Sequence, residues 1–156
     1  MMSKLRELEE LRSIVEDAKK KDKRVIFANG VFDIVHVGHV RYLREAKSFG
    51  DVLIVAMNSD ASTRAIKGDD RPYNDEQKRI EILSEFVSVD HIILFDDPDV
   101  KRLLLELKPD VQAKGTDYTA ETVPERDIVM SYGGSVMIAG DEKNHSSTEI
   151  IEDLRK

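Results

Sequence analysis

Short apolar runs, each cut off by a polar or glycine-containing turn and followed by a helix-like stretch, limit this chain more than any other feature. Residues 24–29 (RVIFAN), 52–57 (VLIVAM), 91–95 (HIILF) and 135–139 (SVMIA) are of this kind, and 110–114 (DVQAK) is a weaker fifth. Runs that stay apolar at successive positions are strands covered on both faces. Between them, residues 3–21 place Leu5, Leu8, Leu11, Val15 and Ala18 on one side of a helical wheel among charged neighbours. Residues 38–49 read as a helix stopped by Gly50. Asn74 and Gln77 have capping-box spacing for a helix to Phe86. Pro98 stands near the start of a helix through Leu107, with Pro109 past its end. Residues 122–132 form a helix running into Gly133-Gly134, and a last helix starts near Ser146.

Strands alternating with helices across short turns predict an α/β fold. The expected form is a Rossmann-like, doubly wound parallel sheet of about five strands with helices on both faces. The length suits a single domain, with an N-terminal amphipathic helix over residues 1–23 and the main unit over 24–156. In such sheets ligands bind beyond the carboxyl ends of the strands, near the point where strand order reverses. Candidate functional residues are therefore those that follow strands.

Composition narrows the function. A net charge of −7 argues against nucleic acid as a partner. The absence of cysteine rules out a disulfide frame and a thiolate metal site. No apolar run approaches the roughly 20 residues of a membrane helix. The charged N-terminus, with Asp and Glu throughout, does not resemble a signal or transit peptide. The cytoplasm is the expected location.

The densest chemistry lies after the first strand, in Asn29-Gly30-Val31-Phe32-Asp33-Ile34-Val35-His36-Val37-Gly38-His39. Gly30 allows a sharp turn or a close backbone approach. If a helix starts near Gly38, its first amides favour an anion. His36 and His39 beside those amides make a donor array suited to phosphate oxygens. A metal reading is weaker, because the pair lacks further ligands at suitable spacing. Lys67-Gly68-Asp69-Asp70-Arg71-Pro72 is a second candidate, a loop with two cations that suits closure over phosphates. Asp60 either caps a helix or orients a ribose or a magnesium ion. Lys114-Gly115-Thr116-Asp117-Tyr118 follows the fourth strand, where Lys114 meets phosphate or sugar hydroxyls or is ordinary strand-end polarity. At the head of the last helix, Ser146 and Glu149 have capping-box spacing, and Ser147 and Thr148 add hydroxyl donors. His91 and His145 read as structural or solvent-exposed.

The segment GVFDIVHVGH resembles the HxGH signature of the nucleotidyltransferase superfamily. With NSDASTRAIKGDDRP and KGTDY in the same order, the chain from Arg24 onward is similar to the heptose 1-phosphate adenylyltransferases, the ADP-heptose synthases. That resemblance implies transfer of AMP from ATP to a sugar 1-phosphate, with D-glycero-β-D-manno-heptose 1-phosphate as the acceptor and pyrophosphate released. It implies His36, His39 and Lys67 as catalytic residues. Asn29, Gly30, Val31, Phe32, Gly38, Asp60, Lys114, Gly115, Ser146, Ser147 and Thr148 would bind the nucleotide. Asp33, Arg71, Arg79 and Asp117 would bind the acceptor. Mg²⁺ would come with ATP, held by phosphates and water rather than by a protein cage, and relatives point to a homo-oligomer, a dimer or larger. Many relatives carry Cys where Val31 stands. Glycerol-phosphate cytidylyltransferases carry an Arg before the Ser-Thr motif, where this chain offers Lys143. Cytidylyl transfer to glycerol 3-phosphate is the nearest alternative. A non-catalytic nucleotide-binding module is the alternative of another class.

Overall fold

The computed structural model describes residues 3–141 and Leu154. Five strands, β1 (Val25–Gly30), β2 (Val52–Asn58), β3 (His91–Phe95), β4 (Val111–Lys114) and β5 (Ser135–Ile138), form one parallel sheet in the order β3-β2-β1-β4-β5. The helices are α1 (Leu8–Lys20), α2 (Val37–Ser48), α3 (Asp60–Lys67), α4 (Glu76–Ser84), α5 (Lys101–Leu107) and α6 (Arg126–Ser131). The chain winds outward through β2 and β3, then returns past β1 to β4 and β5. Strand order therefore reverses between β1 and β4.

The continuous apolar runs have the cause expected of them, since each strand face meets a separate core. Ile26, Ala28, Leu53, Val55, Met57, Val111 and Ala113 pack with Leu43 and Ala46 of α2 and with Ile80 and Leu83 of α4. The alternate residues Val25, Phe27, Ile54 and Ala56 pack with Leu11, Val15 and Ala18 of α1, with Leu103, Leu104 and Leu107 of α5, and with Val129 of α6. The amphipathic N-terminal helix thus lies on the sheet. At the amino ends of the strands, carboxylates accept backbone amides: Asp110 from Val25 at 2.8 Å, Asp51 from Arg24 at 2.8 Å and Asp90 from Leu53 at 2.7 Å. That edge is closed by its own side chains, and the carboxyl edge carries the loops singled out above.

Several boundaries differ from expectation. Residues 3–7 are not helical: Leu5 bridges Ile92 in parallel, with Arg6 N–H donating to Ile92 O at 2.8 Å and Ile92 N–H to Lys4 O at 2.9 Å. Backbone pairing with the exposed edge of β3 wins over helix propensity for this segment. The cap of α4 is Asp75, which accepts from Lys78 N–H, and not Asn74, whose groups are engaged by Asp33 and Arg79. Ser59, not Asp60, caps α3 by accepting from Ser62 N–H. Helix α5 starts after Pro98, with Val100 at the N-cap position, and α6 is shorter than residues 122–132. The helix expected from Ser146 lies outside the described residues.

Leu11 is fully buried where α1 meets the sheet. Leu11→Ala is expected to cost about 2–5 kcal/mol in urea unfolding, as large-to-small core changes do.

Candidate functional site

At the reversal point the sheet opens. The ladder between β1 and β4 pairs Ile26 with Val111 and Phe27 with Gln112, whereas β1 continues to Gly30 and β4 to Lys114. The two strand ends part, and the loops after them stand on either side of the gap.

On the β1 side, the His-x-Gly-His segment builds the start of α2. His36 is the N-cap, and its Nδ1 accepts from Gly38 N–H at 3.0 Å. His39, at the third helical position, returns the bond: its Nδ1 accepts from His36 N–H at 3.2 Å. This is a capping box in which imidazoles replace the usual hydroxyl and carboxylate. The helix begins one residue earlier than the expected Gly38. Because both Nδ1 atoms accept, each neutral ring carries its proton on Nε2. Both imidazoles are therefore hydrogen-bond donors at a fixed tautomer. Their centroids are 4.1 Å apart. His39 also meets the ring of Phe32 at 5.3 Å.

Phe32 is buried with φ +53°, a left-handed conformation unusual for a bulky residue. A Cβ on Gly30 would stand 3.0 Å from the Phe32 ring, so glycine there lets the ring turn back beneath His39. Asp33 is buried and anchors the loop that follows α3. Its carboxylate accepts from Arg71 Nε at 2.9 Å, Tyr73 N–H at 3.0 Å and Asn74 N–H at 2.9 Å. Burial alone would raise its pKa. The amides of Asn74 and Tyr73 and the Arg71 guanidinium outweigh that and hold it below the usual value.

Arg71, expected near the acceptor, has its Nε on Asp33 while its Nη2 is buried with no hydrogen-bond partner among the described residues. Arg79, also expected at the acceptor, is instead wholly buried within the protein. Its N–H groups donate to Asn74 O at 3.0 Å, Val31 O at 2.9 Å, Asn58 O at 2.7 Å and Asp60 Oδ1 at 2.7 Å. It joins the end of β2, the loop after β1 and the head of α3 through charge-assisted bonds. Asp60 is thereby tied to Arg79, and its N–H donates to Glu76.

Lys67 ends α3, and its charge is close enough to lower the pKa of His39. Burial is the larger cause, with His36 next, and together they bring His39 down to about 4. The ring is neutral at pH 7. On the β4 side, Lys114 is mostly buried beside Glu125 Oε1 at 3.9 Å and faces the Tyr118 ring at 5.1 Å. Burial lowers the pKa of Lys114 and Glu125 partly restores it. Gly115 has nothing within 4 Å of a would-be Cβ, and Asp117 is exposed. Thr116 Oγ1 donates to Asp141 O at 2.8 Å, and Arg41 pairs with Asp141 at 2.6 Å, so the chain leaving β5 is held beside the β4 loop. Ser146, Ser147 and Thr148 lie outside the described residues, as do Lys143 and His145.

Glu125 was not among the residues the sequence singled out. An acid after Pro124 at the head of a helical run looks like ordinary first-turn charge, and nothing in the pattern signals its burial. His91 is half-buried under the N-terminal arm, away from this edge, with its pKa lowered by burial and then by Arg6. No group of three or more metal-ligating side chains is present among the described residues, and no helix there is long and apolar enough to cross a membrane.

On the β1 side lie the Nε2 of His39, the buried Nε2 of His36 and, near His39, the charge of Lys67. Residues 27–153 fit the family model described as cytidylyltransferase-like. The chain is 45% identical over 152 residues to the bifunctional protein HldE of Geobacter metallireducens, covering 97% of this chain and 31% of that protein. It is 45% identical over 148 residues to HldE of Pseudomonas syringae, again covering 31% of it. The chain thus spans about a third of the length of these curated relatives. Among solved structures it is similar to a lipopolysaccharide core biosynthesis protein from Thermoplasma volcanium. The TM-score there is 0.62 at 35% identity, covering 74% of this chain and 93% of that one. A pantoate-β-alanine ligase from Francisella tularensis, at 18% identity and TM-score 0.60 over 97% of this chain and 79% of that one, shares the fold.

Folding lowers the pKa of His39 from 6.5 to about 4, so its neutral form contributes stability fully above about 6.5. That contribution is lost as pH falls through about 4. Urea unfolding between pH 7 and 4 is expected to show the decline, and His39→Gln to remove part of it.

Proposed function

Since the chain belongs to the cytidylyltransferase-like family of nucleotidyltransferases, we propose that it transfers AMP from ATP to a sugar 1-phosphate, D-glycero-β-D-manno-heptose 1-phosphate being the acceptor. An oxygen of the sugar phosphate attacks the α-phosphorus in line. The bond to the β-phosphate breaks as the new one forms, and pyrophosphate leaves with no covalent intermediate on the protein. The observation that carries the reading is the reciprocal imidazole cap, which fixes both Nε2 protons at the sheet's reversal point.

A reaction of this type needs positioning and neutralisation of charge more than a protein nucleophile. In the proposal His36 and His39 donate to phosphate oxygens, and Lys67 neutralises the charge that grows on them. Glycines 30 and 38, with Val31 and Phe32, bring the backbone close to the nucleotide. Arg71 offers to the acceptor's phosphate the Nη2 that has no hydrogen-bond partner among the described residues. Asp33, Arg79 and Asp60 serve from behind, holding Arg71 and the loops in place. Ser147 and Thr148 hold the departing pyrophosphate. Asp117 faces the acceptor from the β4 loop. Mg²⁺ fits a site whose donors are N–H groups only as an ion carried by phosphate oxygens and water, where it would neutralise charge. The small phosphorylated substrates suit a cytoplasmic enzyme, and a dimer or larger homo-oligomer is the expected assembly.

Pyrophosphate release from a panel of triphosphates and acceptors tests this. ATP with heptose 1-phosphate is expected to react fastest. Faster turnover of CTP with glycerol 3-phosphate would move the chain to the cytidylyl reading. Within the reaction, His39→Ala is expected to keep the fold and to lower kcat by about 10²–10³, the cost of losing one donor to developing charge.

A further inference from the structure

The β4 side of the crevice contains a carboxylate that no step above uses. Glu125 is 6% exposed at the N-cap of α6. Its Oε1 stands at the long end of ion-pair distance from Lys114, and its Oε2 is buried without a hydrogen-bond partner among the described residues. Asn29 Oδ1 is in the same condition. Asn29 and Lys114 each lie two residues beyond the registered pair Phe27 and Gln112, so the pleat turns both to one face of the sheet. That is also the face on which α6 packs. Beside them, the place a Gly115 Cβ would occupy is open.

A buried carboxylate beside an ammonium, with a second buried acceptor across the β1–β4 gap on the same face of the sheet, is a poor match for phosphate. The carboxylate repels the anion, and neither oxygen has anything to accept from it. A hydroxyl suits all three groups, because it donates to Glu125 or Asn29 and accepts from Lys114. Adjacent hydroxyls on a sugar ring would satisfy the acceptors together, and a buried acceptor left unmatched is costly. We propose that Lys114, Glu125 and Asn29 form a sugar-hydroxyl subsite, and that Glu125 makes the subsite select hydroxyls over phosphate. The inference rests on the nucleotidyltransferase reading and adds to it a residue and a ligand chemistry. The hydroxyls belong either to the ribose of the nucleotide or to the acceptor sugar.

Glu125→Gln keeps the shape and removes the charge. The expected result is a rise of about tenfold or more in the KM of the substrate whose sugar sits there, the worth of one charge-assisted hydrogen bond, with kcat changed much less. Inorganic phosphate should inhibit the variant more strongly than the wild type. A raised KM for ATP assigns the ribose, and a raised KM for the acceptor assigns the acceptor sugar. If the variant melts early, the wild type carries the test: 2′-deoxy-ATP, 3′-deoxy-ATP or deoxy acceptors should lose about tenfold in kcat/KM. Unchanged KM values in folded Glu125→Gln, or deoxy substrates as good as the parents, would overturn the subsite alone. A wild type that releases no pyrophosphate from any pair would instead overturn the reading on which it rests.

Discussion

The reciprocal cap between His36 and His39 is the interaction from which the rest of this edge takes its form. An N-cap normally uses a hydroxyl or carboxylate, whose only task is to receive an amide. An imidazole that receives an amide at Nδ1 still has a second nitrogen, and the bond it accepts decides that this nitrogen is the donor. One pair of hydrogen bonds thus starts α2 and sets the tautomers of two side chains. The glycine between them supplies the amide that His36 receives. The ring of Phe32 lies against His39, and Gly30 leaves it room.

Rigidity around this cap comes from buried charge. Arg79 has no exposed surface and spends its donors on three carbonyls and Asp60. Asp33 does the converse, gathering one guanidinium and two amides. Each would be costly to bury alone. Each instead ties segments that have no regular secondary structure of their own to the ends of β1 and β2. The crevice is therefore walled by loops whose backbone polar groups have defined partners, and its floor is the gap where β1 and β4 stop pairing.

Much of this was legible in the sequence, because the apolar runs are long enough and dense enough to leave no other architecture. The strands fall within a residue of expectation, and the reversal point falls beside the motif. The N-terminal arm departs from the helical expectation: Leu5 fits a helical stripe equally well, and only the open edge of β3, set by the tertiary fold, shows why the segment extends. The caps fall at Ser59 and Asp75, beside Asp60 and Asn74, for a related reason. Several polar residues in each turn suit a cap, and competition from Asp33 and Arg79 decides between them. At the site, residue types announced the imidazoles and lysines, but not whether a charge faces the crevice or the interior. Arg79 and Arg71 look alike in the sequence and are both buried, yet differ in their partners. Glu125 carried no signal because its significance lies in Lys114, which is near only in the fold.

In the proposed reaction both fixed imidazoles present Nε2–H to the phosphates of the nucleotide. Nitrogen-detected NMR of the histidine rings, with and without a non-hydrolysable ATP analogue, tests it most directly. The expected result is Nε2-protonated rings for His36 and His39 in the free protein, and shifts at both Nε2 positions when the analogue binds. Nδ1-protonated rings, or bound analogue that leaves both Nε2 signals where they were, would contradict it.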